Sequence, residues 1–577
     1  MQVNLKRRAF LNGLLMTGAV PLMGFSANGI VKRLARVGLM TDTHVGPTLE
    51  SCSRVKAALE LFKAKGVEMI LNCGDLSDRH YPDGYRSYRQ TVNTVYPDAA
   101  TRPKEVYVYA WHDTADYKPE MGDGTPGYLG AFENMRKLLE APNPHTCEFV
   151  WKGFPFLVFP QFTGHPGFLT WAEYEKRVER ACAANPGKPV FVCDHVPPAG
   201  TTFHSRQWGC DECRRILNRF PQVVSISGHV HGSLACERLI WQGEFTAVNL
   251  GCLQTWGGFA PGSTPPPQAK PNYGVLVMDI YPDHLIFWRY DVRDGSEYNP
   301  DHPWVVPLPF AAEQAPYVPA TYAKRTPQIA FTPGSAVTVT PEGSPVTGYA
   351  VAFPDPGAFM YRIRCERKGP DGAWTPYSRD DIFGEFWKAP KDRTGQARYV
   401  LSDGFFEAGG TYRISVAPLD FFYRESAPIT GAFTATHPAA KRRWLCEDPA
   451  AFRFTEHGKP VERGADGFFA PPSGQGTLWL PDNAFAQVEP GKRCHLLFDL
   501  EGIQPDGEWC AWRVTLRERG GRHSVLGTVQ TSPGNPGTLR YVMSFTPGTI
   551  GPCDLLFNYP SPHSRLRVIR AELLQSI

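Results

Sequence analysis

At 577 residues the chain exceeds one ordinary domain, and 42% hydrophobic with 20% charged residues makes it globular rather than disordered. Its 55 glycines and 54 prolines are many for the length, as in chains with short-stranded β domains. A formal net charge of +3 argues against a nucleic-acid partner held through its phosphate backbone.

The chain opens with Lys6-Arg7-Arg8-Ala9-Phe10-Leu11 ahead of an apolar run from Leu14 to Phe25. This is the layout of a twin-arginine export signal, and the run is short and glycine-broken for a spanning helix. Residues 1–30 are read as that signal, which places the protein in the periplasm or outside the cell. Ser26-Ala27-Asn28 offers no clean cleavage site, so a retained N-terminal anchor is the alternative. No later run is long enough to span a membrane.

From residue 33 to 315 short apolar runs alternate with helical spacing. Val37–Met40 is a predicted strand ending at Asp42, and Val55, Leu59 and Phe62 fall on one helix face. Val67–Asn72 leads to Gly74-Asp75. A polar segment with Tyr81, Tyr85 and Tyr88 precedes the strand Val106–Tyr109 and then His112-Asp113. Tyr128–Leu139 and Trp171–Ala184 are predicted helices, with a hairpin around Lys152-Gly153 between them. Val190–Cys193 ends at His195, and Val223–Ile226 leads into Gly228-His229-Val230-His231-Gly232. Phe245–Leu250 and Tyr273–Tyr290 are further strands. Each polar cluster lies past the C-terminal end of a strand, where side chains from several strands converge in an open α/β sheet. The fold class expected is α/β, a two-sheet sandwich.

At Pro316 the texture changes to Pro/Gly/Thr-rich alternation. Within 316–437 the strands are Val346–Phe353, Phe359–Glu366 and Thr411–Ala417, and the stretch around Tyr412 resembles a late strand of a fibronectin type III domain. Thr436-His437-Pro438 reads as a linker. Residues 440–577 are again all-β, through Gly476–Leu480, His495–Leu500, Trp509–Leu516, Leu539–Phe545 and Leu566–Leu574. They resemble a jelly-roll of the carbohydrate-binding kind, which makes a glycan a candidate partner there; simple packing against the first domain is the rival reading.

Taken singly, Asp42-x-His44, Gly74-Asp75, His112-Asp113, His195 and Gly-His229-x-His231 are ordinary turn sequences. Their order, each after its own strand, resembles the calcineurin-like metallophosphoesterase pattern D-x-H…G-D…G-N-H-[D/E]…H…G-H-x-H over residues 36–300. The resemblance implies that Asp42, His44 and His231 hold a first metal, Asp75 bridges, and His195 and His229 hold a second. His112 would stand by the leaving group with Asp113 orienting it. The activity implied is that of a metal-dependent phosphoric ester hydrolase acting on a phosphodiester or phosphomonoester. Two divalent cations held about 3.5–4 Å apart clamp a phosphoryl group and turn a bridging water into a hydroxide nucleophile. A histidine beside the phosphate can protonate the departing oxygen. Mixed oxygen and nitrogen ligands suit zinc, manganese or iron.

One position departs from the pattern. Where the family has Gly-Asn-His, this chain has Ala110-Trp111-His112. An indole nitrogen is only a donor and cannot ligate. The second metal then keeps Asp75, His195 and His229, or recruits a side chain such as Asp78. Three outcomes follow: two metals with a weaker second site, a single-metal enzyme with Trp111 stacking on substrate, or a non-catalytic binding protein on an inherited scaffold.

Arg79, Arg86, His204, Trp208 and Trp256 lie near the motifs; each is read as loop surface or packing, with cleft lining the alternative. His145 and His165 are read as structural. Fourteen cysteines are scattered, with Cys73 and Cys193 in apolar runs. Cys210-Asp-Glu-Cys213 is the one C-x-x-C, and without a second pair it reads as a local disulfide or free thiols rather than a zinc ribbon.

Overall fold

A computed structural model describes residues 32–256, 270–271, 273–300, 302–386, 388, 393–473, 476–481, 484–503, 510–518, 523–531, 537–547, 553–558 and 564–576. The export-signal segment lies outside them. Among the described residues no helix is long and apolar enough to cross a membrane. Contacts divide the chain into a unit that ends at Pro327 and one that begins at Gln328.

The first unit carries, in order, β1 (Ala35–Met40), α1 (Ser53–Lys65), β2 (Met69–Asn72), α2 (Pro82–Val95), β3 (Lys104–Tyr107), α3 (Gly127–Leu139), β4 (Cys147–Trp151) and β5 (Phe154–Val158). There follow α4 (Trp171–Ala184), β6 (Val190–Cys193), α5 (Ser205–Trp208), α6 (Asp211–Leu217), β7 (Val223–Ser227), β8 (Ile240–Gln242) and β9 (Thr246–Asn249). The two-residue ladder β10 (Thr255–Trp256) and β11 (Lys270–Pro271), then β12 (Gly274–Ile280), β13 (His284–Asp291), β14 (Trp304–Pro307) and α7 (Pro319–Arg325) complete it. The side chain of Trp256 lies outside what is described.

Two mixed six-stranded sheets result, ordered β14-β13-β12-β1-β2-β3 and β4-β5-β6-β7-β9-β8. The ladders β1–β2–β3 and β5–β6–β7–β9 are parallel. Parallel strands are buried on both faces, and β2, β5, β6, β7 and β9 accordingly have every residue buried. On the outer face of the first sheet, Val55, Leu59 and Phe62 of α1 and Tyr85, Tyr88 and Val92 of α2 share one core with Met40 and Ile70. On the outer face of the second, Tyr174 and Val178 of α4 and Ile216 of α6 pack with Leu157, Val190 and Val192. The inner faces, with Val37, Leu39 and Leu71 against Phe191, Ile226 and Val248, are wholly buried. This is the two-sheet α/β sandwich expected.

Local chemistry explains the elements well. Lys152 and Gly153 both have positive φ, at 50° and 83°, as the tight β4–β5 hairpin turn requires. Thr170 and Glu173 form a reciprocal capping box at the start of α4. The Tyr81–Tyr88 segment, read from the sequence as polar, contributes to the core. It enters α2, whose Tyr85 and Tyr88 are fully buried, because tyrosine is a core residue once its hydroxyl finds a partner; Tyr85 donates to Asp113 O at 2.9 Å.

The first unit also continues past the change of texture at Pro316. Tyr317 exchanges backbone and side-chain hydrogen bonds with Gln242, and the Tyr322 hydroxyl on α7 donates to the buried Glu237 carboxylate. Composition marks the start of the proline-rich stretch, but these anchors hold its first residues on the preceding fold.

The second unit is all-β. One sandwich pairs a three-stranded sheet with the four-stranded sheet containing Met360–Lys368 and Thr411–Leu419. In it the buried Tyr412 hydroxyl accepts the Glu407 backbone N–H at 2.8 Å, pinning the turn before its own strand. The other sandwich has sheets of four and six strands around Leu478, Phe498, Trp512, Leu555 and Leu573. Ser402 of the first meets Ser544 of the second at 2.5 Å, and Ser544 also bonds His495 at 2.8 Å.

Candidate metal centre

The six ligand candidates come together on loops at one edge of the sandwich. Asp42 follows β1, Asp75 follows β2, His195 follows β6, and His229 and His231 follow β7. Backbone bonds stitch these loops: Asp42 N to Gly74 O at 3.0 Å, His44 N to Asp75 O at 3.1 Å and Gly228 N to His195 O at 2.9 Å. Asp42, His44, Asp75, His229 and His231 all have φ between 40° and 73°, a region that non-glycine residues avoid. Five strained residues in one place persist only where surrounding structure fixes them, and such strain clusters at functional sites.

Each carboxylate has one oxygen tied and one aimed inward. Asp42 Oδ2 accepts the Thr41 hydroxyl at 2.7 Å and His229 N at 2.9 Å. Its Oδ1 is buried with no hydrogen-bond partner, 3.0 Å from His231 Nε2 and 3.7 Å from His44 Nε2. Asp75 Oδ1 accepts His112 N at 3.1 Å, while Oδ2 lies 3.0 Å from His195 Nε2 and 3.9 Å from His44 Nε2. One oxygen of Asp75 therefore faces both groups of imidazoles. His195 places Nδ1 2.7 Å from Cys73 O, which orients the ring and leaves Nε2 buried without a hydrogen-bond partner. His44 and His231 bring their Nε2 atoms within 3.0 Å of each other.

These donor atoms form two metal-capable sets, Asp42, His44, Asp75 and His231, and Asp75, His195 and His229, sharing Asp75. Burial pushes the Asp42 carboxyl up, but the His231 and His195 imidazoles outweigh it and hold it well below the usual carboxylate range. Burial raises Asp75 as well, and His195 brings it down in the same way. In turn burial lowers His44 and His195, yet the carboxylates push them up, to about 10 and about 9. His229 is held at about 4 by burial and by the neighbouring His195. The buried carboxylates call for positive charge at this spot, and a cation held there would supply it in place of imidazole protons. The residues present fit two divalent metals.

Around His112 the structure differs from the sequence reading. Asp113 does not face the His112 ring. Its buried carboxylate accepts Ser77 N at 3.0 Å and Ala110 N at 3.3 Å, bracing the loops after β2 and β3. Burial and then Asp75 push it up to about 7. His112 is oriented by a backbone carbonyl instead, its Nδ1 lying 2.8 Å from Asp78 O. A one-residue offset turns adjacent side chains in different directions, so sequence adjacency alone does not make an orienting pair. The Asp78 side chain stands 3.4 Å from His44 Nδ1 and groups with His44 and His112, not with His195 and His229.

Trp111 points outward, 48% exposed, its ring centroid 5.1 Å from that of His112, and its backbone N–H donates to Gln161 Oε1 at 2.7 Å. The second set thus has three protein ligands, and no fourth His, Cys, Asp or Glu joins it among the described residues. Three ligands and an open position characterise catalytic rather than structural metal sites.

Other candidates have other duties. Arg79 pairs with Asp116 and Arg86 with Asp83 at the surface. His204 is buried and stacked on Phe203, whereas Trp208 sets its ring edge on His229 at 6.0 Å. His145 packs on Phe132 and Phe168, and His165 on Phe162. Sequence reasoning passed over Thr41, Ser77, Gln161 and Asn249; Asn249 Nδ2 donates to Gly228 O at 2.6 Å and holds the His229 loop. Asn249 ends β9, so the strand-end rule that found the ligands would have found it too.

Residues 35–233 match the profile of the calcineurin-like phosphoesterase family. This segment is a calcineurin-like phosphoesterase domain. The matched stretch contains all six ligand candidates and His112 of the phosphoesterase domain. No curated protein matches the sequence. Among solved structures, a dimetal phosphatase from Danio rerio is similar at 11% identity, over 44% of this chain and 96% of that one, with a TM-score of 0.32. A CBM22-1 xylan-binding domain from Paenibacillus barcinonensis is similar at 7% identity, over 24% of this chain and 98% of that one, with a TM-score of 0.20.

Gly228 is the packing point of the phosphoesterase centre. A Cβ there would stand 2.0 Å from Thr41 Oγ1 and 2.5 Å from Asp42 Oδ2. Gly228→Ala is therefore expected to displace Asp42, remove the first metal and lower turnover about 10²-fold or more. Metal analysis of the purified variant checks this; an unchanged metal content would overturn it.

Proposed function

We propose that the chain is a metal-dependent phosphoester hydrolase using two divalent cations, zinc, manganese or iron, with the first bound more firmly than the second. The observation that carries this reading is Asp75 Oδ2, buried between His195 Nε2 and His44 Nε2 with His112 anchored to the other oxygen of the same carboxylate. When bound, the metals supply phosphoryl polarisation and an acidified water. The chain's residues do the rest. His112, part-buried, fixed through Nδ1 and with its ring 4.8 Å from that of His44, can hand a proton to the leaving oxygen. Trp111 offers an exposed aromatic face beside it, suited to stacking on a flat leaving group. Export through the twin-arginine pathway belongs to the same proposal, because that route carries proteins folded with their metals. The tyrosine bond at Tyr412 supports a fibronectin type III-like reading of the first β sandwich.

The test is metal analysis of the whole protein together with hydrolysis of a bis-nitrophenyl phosphodiester. Two equivalents of metal and turnover are expected. One metal with turnover would favour the single-metal version, for which Trp111 in place of asparagine speaks; no metal and no turnover would sink the hydrolase reading. His112→Ala is expected to keep its metals and lose about 10²–10⁴-fold in turnover. A variant that lost its metals as well would place His112 among the ligands instead.

A further inference from the structure

The Cys210-x-x-Cys213 pair has no part in the phosphoesterase chemistry, yet it stands at the start of α6, hydrogen-bonded to the stretch that follows His195. Cys210 caps α6, and its sulfur accepts the backbone N–H of Cys213 at 3.2 Å. Positions three apart at a helix start share one face, with side chains close enough to bridge. Cys210 is part-exposed and Cys213 is buried; of the twelve free cysteines described, only Cys147 and Cys210 are not buried. The pair is asymmetric in the way an attacking and a resolving thiol need to be. A hydrogen bond from the Cys213 thiol holds Cys210 below the usual thiol range, and the same bond, with burial, holds Cys213 well above it.

The backbone of Cys210 is stitched to the stretch just after His195. Cys210 N donates to Pro197 O at 2.8 Å, and Ala199 N donates to Cys210 O at 3.1 Å. Two residues earlier, Trp208 lies against His229. Cys210 is thus joined by two backbone hydrogen bonds to the stretch after His195 and stands two residues from the ring that touches His229.

We propose that Cys210 and Cys213 are a reversible thiol–disulfide pair whose oxidation state is passed to the His195 and His229 loops. The partner is a small disulfide such as oxidised glutathione. The Cys210 thiolate attacks one of its sulfurs; that S–S bond breaks and one thiol leaves. Cys213 then attacks Cys210 in the mixed disulfide, the second thiol departs, and the 210–213 bond forms. The cysteine pair is oxidised by two electrons, the small disulfide is reduced by two, and the two cysteine protons end on the released thiols.

The test uses the full chain stripped of metal with a chelator, so that it is independent of phosphoesterase activity. The protein is equilibrated with graded ratios of oxidised to reduced glutathione, then mapped by mass spectrometry of non-reduced peptides. A 210–213 disulfide that dithiothreitol reverses is expected, with Cys213→Ser trapping glutathione on Cys210. Two free thiols at the most oxidising ratio, or a Cys213→Ser protein left unmodified at Cys210, would overturn the pair. Hydrogen exchange on the same oxidised and reduced samples reads the coupling. Loss of protection at the Ala199 and Cys210 amides on oxidation is expected, and identical exchange across 196–210 would overturn transmission to the metal loops.

Discussion

Asp75→Asn should release both metals and abolish turnover. The substitution preserves shape, and the carboxamide oxygen can still accept the His112 N–H that Asp75 Oδ1 accepts at 3.1 Å. What it removes is the charge on the single oxygen that faces His195 at 3.0 Å and His44 at 3.9 Å. Each metal-capable set loses its shared anion, and the repulsion between two cations loses its screen. Several kcal/mol of transition-state stabilisation are at stake, about 10³-fold or more in rate. His229→Ala is the contrast, since it touches only the second set. Metal content by plasma emission, read beside turnover, distinguishes them: Asp75→Asn retaining two equivalents would show that Asp75 does not bridge.

The largest stability effect is expected at Glu237. Its buried carboxylate receives Arg289 Nη1 at 2.8 Å and Trp304 Nε1 at 3.0 Å, together with Asn299 and the Tyr322 hydroxyl. Burial pushes the carboxyl up, but Arg289 and the hydrogen bonds of Tyr322 and Trp304 bring it below the ordinary glutamate value of 4.5. Glu237→Ala takes the carboxylate from the Arg289 guanidinium, itself buried, and from the Tyr322 hydroxyl on α7. Breaking a buried pair on one side costs about 3–5 kcal/mol. The calorimetric transition of the first unit should move down accordingly, and an unmoved transition would contradict this account. The sign with pH follows from the depressed value. The stabilisation from the wild-type carboxylate is present above pH 4.5 and is lost as pH falls below it toward the folded-state value. The Ala variant should lack that acid-side loss.

Much of the centre was legible in the sequence because its parts are local. Asp42-x-His44, Gly74-Asp75 and His229-x-His231 are each set by a few residues after an apolar strand, and strand ends in an α/β sheet converge wherever the sheets go. The capping box of α4 and the Lys152-Gly153 turn are local in the same sense. Where apolar periodicity failed, the reason was chemical: α2 buries tyrosines, and their rings belong to the core while their hydroxyls read as polar.

Tertiary structure decided the directions of side chains and the partners drawn from far along the chain. That Asp113 braces Ser77 while Asp78 O orients His112 depends on how two loops cross, which adjacency in sequence cannot specify. The extension of the first unit to Pro327 rests on Tyr317 and Tyr322 finding Gln242 and Glu237, bonds between residues 75 and 85 positions apart. Trp111 in place of asparagine was visible from the sequence, but its outward direction over His112 was not. Ligand identity is a property of short motifs. Ligand orientation is a property of the packed loops, because a side chain's direction is fixed by the backbone around it and by whichever distant groups satisfy its polar atoms.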